Sequence, residues 1–173
     1  MSRTLLLIDV QNDYFPDGAF PLWNAEATLD RIEQAAARAR ALDVPVVLVQ
    51  HVADPAGGIS PFFNEGSDGV AIHPRALAAA PDAPVVVKHF ADSFEQTTLR
   101  AVLQDLGTTE LLIGGMMTQN CVTHTAISRE AEPYDVTVLV DTCTTVDEMI
   151  HGIALHGLST RVALRPWDAA LSS

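Results

Sequence analysis

Six short apolar runs rich in Val, Leu and Ile punctuate the chain, at residues 4–10, 45–50, 84–88, 110–114, 136–141 and 161–165. They lack a clean polar alternation, which is the pattern of parallel strands covered on both faces. Between them the period changes to that of a helix. Residues 24–42 carry Leu29, Ile32, Ala36 and Ala39 at helical spacing behind Asn24 as an N-cap. Residues 93–106 open on Ser93 and Gln96 in capping-box spacing and end before Gly107. Residues 121–132 stop at Pro133, and residues 145–158 open on Thr145 and Glu148, again a capping-box pair. This alternation predicts an α/β fold, a three-layer, doubly wound parallel sheet of about six strands in one domain spanning residues 1–173. The stretch from His51 to Pro84 departs from the pattern. It is dense in Pro and Gly and holds only a short Ala-rich helix at 74–80, and a connection of that length points to a lid or a subunit contact.

Composition narrows the field of partners. Acidic residues outnumber basic ones 22 to 10, for a formal charge of −12, and no Lys/Arg cluster occurs. Nucleic acid and anionic membrane surfaces are therefore not expected partners. The first apolar run is too short for a signal peptide and is interrupted by Asp9, and no run approaches membrane-spanning length. Two cysteines do not make a disulfide framework, so a reducing, cytoplasmic setting is expected. No Gly-x-Gly-x-x-Gly motif or P-loop is present, and no cofactor is expected.

The candidate chemistry lies at strand ends. In a doubly wound sheet, ligands bind beyond the C-terminal ends of the strands, where the strand order reverses. Asp9 ends the first run, Lys88 ends the third, and Cys121 follows the fourth after a glycine-containing turn. With strand order 3-2-1-4-5-6, Asp9 and Cys121 become neighbours. A thiol opening a helix tends toward thiolate, a carboxylate beside it can accept its proton, and a lysine offsets the developing charge. The amides of Cys121 and of Met117 or Thr118 are candidate oxyanion donors, each worth roughly 3–4 kcal/mol. Each residue also has a plainer role: the cysteine as a small buried hydrophobe, the aspartate as a turn cap, the lysine as a solvated charge. Tyr14, Phe15, Phe20, Trp23, Phe62, Phe63, His51, Phe94 and His124 are candidate pocket residues. His73 has a pocket or structural role, and Cys143 a structural or pocket-lining one.

Three sequence blocks carry a family resemblance: Leu6-Leu7-Ile8-Asp9-Val10-Gln11-Asn12-Asp13-Tyr14-Phe15, Lys88 with Ser93-Phe94, and Gly114-Gly115-Met116-Met117-Thr118-Gln119-Asn120-Cys121-Val122. In this order the chain resembles the isochorismatase-like cysteine hydrolases, relatives of nicotinamidase and N-carbamoylsarcosine amidase. The resemblance implies an Asp9–Lys88–Cys121 triad and a non-proline cis peptide at Met116–Met117 that aims the Met117 amide at the oxyanion. It also implies homo-oligomerisation. Metal-binding nicotinamidases carry Asp-x-His after the second strand. Here that place reads Gln50-His51-Val52-Ala53-Asp54, so no metal is expected. The expected activity is hydrolysis of a small amide, carbamoyl or related C–N bond through a thioester. Two alternatives stay open: vinyl-ether hydrolysis with Asp9 as general acid, and a non-catalytic binding protein on the same scaffold.

Overall fold

The computed structural model describes residues 2–172. Its centre is a six-stranded parallel sheet: β1 (Arg3–Ile8), β2 (Val46–His51), β3 (Val85–Lys88), β4 (Glu110–Met116), β5 (Asp135–Thr144) and β6 (Ala163–Arg165), in the order β3-β2-β1-β4-β5-β6. The strand order therefore reverses between β1 and β4, beside which Asp9 and the Cys121 turn emerge.

The near-continuous hydrophobicity of the strands has a direct cause. Leu5 and Leu7 of β1 pack on one face of the sheet with Leu29 and Ile32 of α1 (Ala25–Ala41), under α2 (Pro74–Ala79) and α6 (Trp167–Ala170). Leu6 and Ile8 pack on the other with Leu99 and Leu103 of α3 (Leu99–Asp105) and Val122, beside α4 (Thr123–Ala126) and α5 (Glu148–Leu158). With both faces covered, no position of β1 past the part-exposed Arg3 can be polar for solvent's sake. Each fully buried leucine contributes roughly 1.5–3 kcal/mol of burial free energy.

The helices depart from the expected boundaries for identifiable reasons. The Ser93–Gln96 capping box does not form. Gln96 sits at φ +53°, and Ser93, fully buried, is bonded to Thr125 instead: its amide donates to Thr125 Oγ1 (3.0 Å), whose hydroxyl donates to Ser93 Oγ (2.9 Å). Helix α3 consequently starts only at Leu99. The expected 121–132 helix is three pieces: a π-helical turn Thr118–Val122, α4, and a 3-10 turn Arg129–Ala131 capped by Ser128. Helix α5 is capped by Asp147, whose carboxylate accepts from Ile150 N (2.8 Å), and not by Thr145. Asn24 stands at the N-cap of α1 in a left-handed conformation without a side-chain capping bond. Strand β5 runs on through Cys143, which pairs with Gly115 after an irregularity in the β4–β5 register. Helix α6 had no counterpart among the expected elements.

Candidate active site

Each member of the expected triad leaves the C-terminal end of its own strand. Asp9 follows β1 in a left-handed conformation (φ +53°), turning its side chain away from the strand direction. Lys88 is the last residue of β3. Cys121 lies in the π-helical turn after β4. The approach of β4 to β1 requires Gly115: its φ of +125° favours glycine, and a Cβ there would meet Ile8 O at 2.1 Å. The next peptide, Met116–Met117, is cis. Among the described residues the Met117 amide donates to no protein acceptor.

The three side chains converge on the Lys88 ammonium. Its Nζ lies 3.0 Å from Asp9 Oδ2, 3.2 Å from Cys121 Sγ, 2.9 Å from His51 Nδ1 and 3.0 Å from the Phe90 carbonyl oxygen. Its three N–H groups are matched by three hydrogen bonds, to the histidine nitrogen, the carbonyl oxygen and the sulfur, and Asp9 is held beside them by charge. Asp9 and Lys88 are fully buried, and Cys121 is 3% exposed. Neither Asp9 oxygen receives a hydrogen bond from a protein group among the described residues, and the ammonium faces Oδ2 as an ion pair. Asp9, His51 and Cys121 also place one donor atom each within 4.8 Å of one another, a spacing that suits a metal ion. Lys88 Nζ touches all three, so the cation at their focus is the ammonium.

Burial sets the protonation of the site. It pushes Asp9 above the usual carboxylate range by more than Lys88 pulls it down. It pushes the Cys121 thiol well up, with the Asp9 charge adding to the effect and Lys88 offsetting part of it. Burial thus works against the thiolate that a helix start favours, and shifts the balance toward the thiol. Burial alone would pull the Lys88 ammonium down, but Asp9 and the Cys121 sulfur outweigh it and hold the pKa above the ordinary lysine value. His51, desolvated and facing Lys88, is pushed down to about 4. It is neutral at pH 7, and with Nδ1 accepting from the ammonium its ring proton resides on Nε2.

His51 is held by a residue whose role the sequence did not reveal. Gln11, fully buried, donates from Nε2 to His51 O (2.8 Å) and accepts at Oε1 from His51 N (2.8 Å). Its Nε2 also reaches Val70 O (2.7 Å). This side chain pins the end of β2 to the turn after β1. The one sequence signal for it is a polar residue two positions past a strand-ending aspartate.

The candidate pocket residues divide. Tyr14, Phe62 and Phe63 form a cluster beside the site, with the Tyr14 and Phe63 rings 4.6 Å apart, Phe62 and Phe63 5.0 Å, and Phe63 and His51 5.8 Å. Phe20 joins it through Phe62 (4.9 Å). Burial and the nearby Asp9 raise the Tyr14 pKa and keep the phenol neutral. Phe15 packs on His73 (4.4 Å), whose Nδ1 accepts from Arg75 N (3.2 Å) and caps α2. Phe94 stacks on Tyr134 in the opposite core layer. Trp23 is half-exposed, 6.0 Å from the His151 ring. His124 is exposed and engages the Asn120 carbonyl (2.8 Å), so it is not gathered into the triad. Cys143 is buried within β5, and its thiol is pushed up to about 12.

The sequence profile of the Isochorismatase domain matches residues 3–164, nearly the whole chain. The chain belongs to the isochorismatase family. Its relatives include the isochorismatase family protein YddQ of Bacillus subtilis (strain 168), 37% identical over 145 residues, covering 84% of this chain and 79% of YddQ. Streptothricin hydrolase of Streptomyces noursei is 34% identical over 124 residues, covering 72% of this chain but 43% of that protein. Among solved structures, a proposed isochorismatase hydrolase from Oleispira antarctica superposes with a TM-score of 0.90 at 33% identity, covering 99% of this chain and 97% of that one. Relatives of this chain thus include a named hydrolase, and its fold is shared with the Oleispira antarctica structure.

Proposed function

We propose that this isochorismatase-family protein is a cysteine-dependent hydrolase of a small amide, carbamoyl or related C–N bond. The observation that carries the reading is the contact of one buried ammonium with both a carboxylate and a thiol. An ordinary aspartate is too weak a base to take a thiol proton. Burial raises Asp9 and so narrows the gap, while Lys88 stands ready to pair with the thiolate as it forms. Asp9 accepts the Cys121 proton, and the sulfur attacks the carbonyl carbon. The free Met117 amide and that of Cys121 serve the oxyanion. Asp9 then protonates the leaving nitrogen. A water deprotonated by Asp9 cleaves the thioester, releasing the acid and restoring the thiol. His51 and the Phe90 carbonyl hold the ammonium between the two exchanging groups. The chemistry uses only these side chains and water.

Homo-oligomerisation belongs to the same proposal. Met149 and Ile153 on α5, 75% and 66% exposed, are the apolar surface a second copy would cover.

The test is an ammonia- or amine-release screen over small amides, followed by Cys121→Ala. Turnover should fall by at least about 10³-fold with the fold intact. Full activity in Cys121→Ala, with loss in Asp9→Ala, would reject the nucleophile and favour Asp9 as general acid on a vinyl ether.

A further inference from the structure

The ten Lys and Arg residues are distributed very unevenly about the sheet. Arg3 opens β1 at the edge opposite the site, and Arg31, Arg38 and Arg40 lie along α1. Arg75 is engaged by Glu26, Asp30 and Glu33, and Arg100 by Glu130. Arg129 and Arg161 precede β5 and β6. Arg165 closes the edge strand β6, in register with Leu139, well before β5 reaches its end. The segments leaving β1, β2 and β3 (residues 9–24, 52–73 and 89–98) and the turn after β4 (117–122) contain no Lys or Arg. Besides Asp9 itself, they carry instead Asp13, Asp17, Asp54, Glu65, Asp68, Asp92 and Glu95. Asp13 is buried and accepts from the Phe63 and Ala19 amides, with no cation paired to it among the described residues. Among the described residues, Lys88 is the one cation at the ends of β1, β2, β3 and β4 or in the segments that leave them, and it is sealed from solvent with its three N–H groups already bonded. Arg75, just past the second segment, is taken up by its three carboxylates.

From this distribution we infer that the site admits substrates that are uncharged or cationic around the scissile bond and rejects those bearing a carboxylate or phosphate. The inference rests on the proposed hydrolase reading and deepens it. Arginine and lysine are the side chains that best meet a substrate carboxylate, and the segments leaving β1, β2, β3 and β4 hold none. His51, His73 and His151, all lowered by burial, add no positive charge there at neutral pH. The acidic loops instead set up a negative potential that concentrates cations and repels anions, an effect that reaches 10–10³-fold on association rates.

The test uses two thiol reagents that differ in charge, 2-(trimethylammonium)ethyl methanethiosulfonate and 2-sulfonatoethyl methanethiosulfonate. In each the Cys121 thiolate displaces methanesulfinate and forms a mixed disulfide. Modification is mapped to Cys121 by peptide mass, and each rate is divided by that of the same reagent with free 2-mercaptoethanol. The normalised cation-to-anion ratio should be about tenfold or more at low ionic strength and shrink toward one in 0.5 M salt. In Asp17→Lys/Glu65→Lys, both exposed and outside the triad, the ratio should fall by about threefold or more. A wild-type ratio at or below one overturns the inference, as does an unchanged ratio in the double variant. In the amide screen, neutral or cationic members should be turned over at least about tenfold faster than matched carboxylate-bearing ones, and equal rates overturn the inference. If no amide is turned over while the reagent ratio holds, the hydrolase reading fails and the charge preference of the entrance stands.

Discussion

Two charge clusters in this molecule use the same chemistry in opposite surroundings. At the surface, Arg75 gathers Glu26, Asp30 and Glu33, with its own side chain 40% exposed. At the strand ends, Lys88 gathers Asp9, Cys121, His51 and a carbonyl oxygen with the lysine and aspartate wholly sealed. The surface cluster has more formal pairs, yet water and salt screen each of them. The buried cluster has one ion pair, and nothing but that pair and its hydrogen bonds compensates its charges. The number of ion pairs is therefore a poor guide to what a cluster contributes; the dielectric around it decides. Arg75 fastens α2 to α1, whereas Lys88 sets the protonation of its neighbours.

The sharpest way to break this contrast is Lys88→Met. It leaves the Asp9 carboxyl buried without a partner and should cost about 3–5 kcal/mol in denaturant unfolding. Adding Asp9→Asn should recover part of the loss, because the orphaned charge is gone. A loss under about 1 kcal/mol would place Lys88 with the surface cations, and the contrast would collapse.

A smaller effect separates the two clusters by pH. Below pH 6.5 the unfolded chain takes up a proton on His51 that the folded ring refuses until about pH 4. Stability from this residue is thus present above 6.5 and lost as the pH falls toward 4. Wild type should lose roughly 1–2 kcal/mol more than His51→Asn between pH 7 and 4.5, after discounting for the part-exposed ring. Parallel curves for the two proteins would show that His51 titrates normally.

The smallest effect belongs to the surface. Arg75→Ala should cost no more than about 1 kcal/mol, and most of that should vanish in 1 M salt. A salt-resistant loss of several kcal/mol would mean that the exposed cluster behaves as a buried one.

The fold and the three strand-end residues were legible because they rest on local patterns that the tertiary structure reinforces. Both-face burial writes uninterrupted Val, Leu and Ile into the strands, and the parallel topology sends the ends of β1, β3 and β4 to one edge. Helix starts were less legible, since capping residues can be claimed elsewhere. Ser93 has the right spacing for a cap but is drawn to Thr125, and Thr145 gives way to Asp147. The balance between thiol and thiolate at Cys121 was hidden for a related reason. A position near a helix start suggests a thiolate, whereas seclusion beside Asp9 favours the thiol, and seclusion is a property of the whole fold. The part played by Gln11 was hidden because its partner at the end of β2 lies forty residues away in sequence.

The way the Lys88 hydrogens are shared has a consequence for which substitutions the site tolerates. Its three N–H groups are taken by His51 Nδ1, the Phe90 carbonyl oxygen and Cys121 Sγ, while Asp9 faces the ammonium as an ion pair without a hydrogen bond. Givers and takers are matched one to one, so the loss of any one taker strands a hydrogen in a sealed pocket or swings it toward the carboxylate. The neutral ring at position 51 therefore does more than fill space: it keeps one hydrogen of the ammonium away from the group that must exchange a proton.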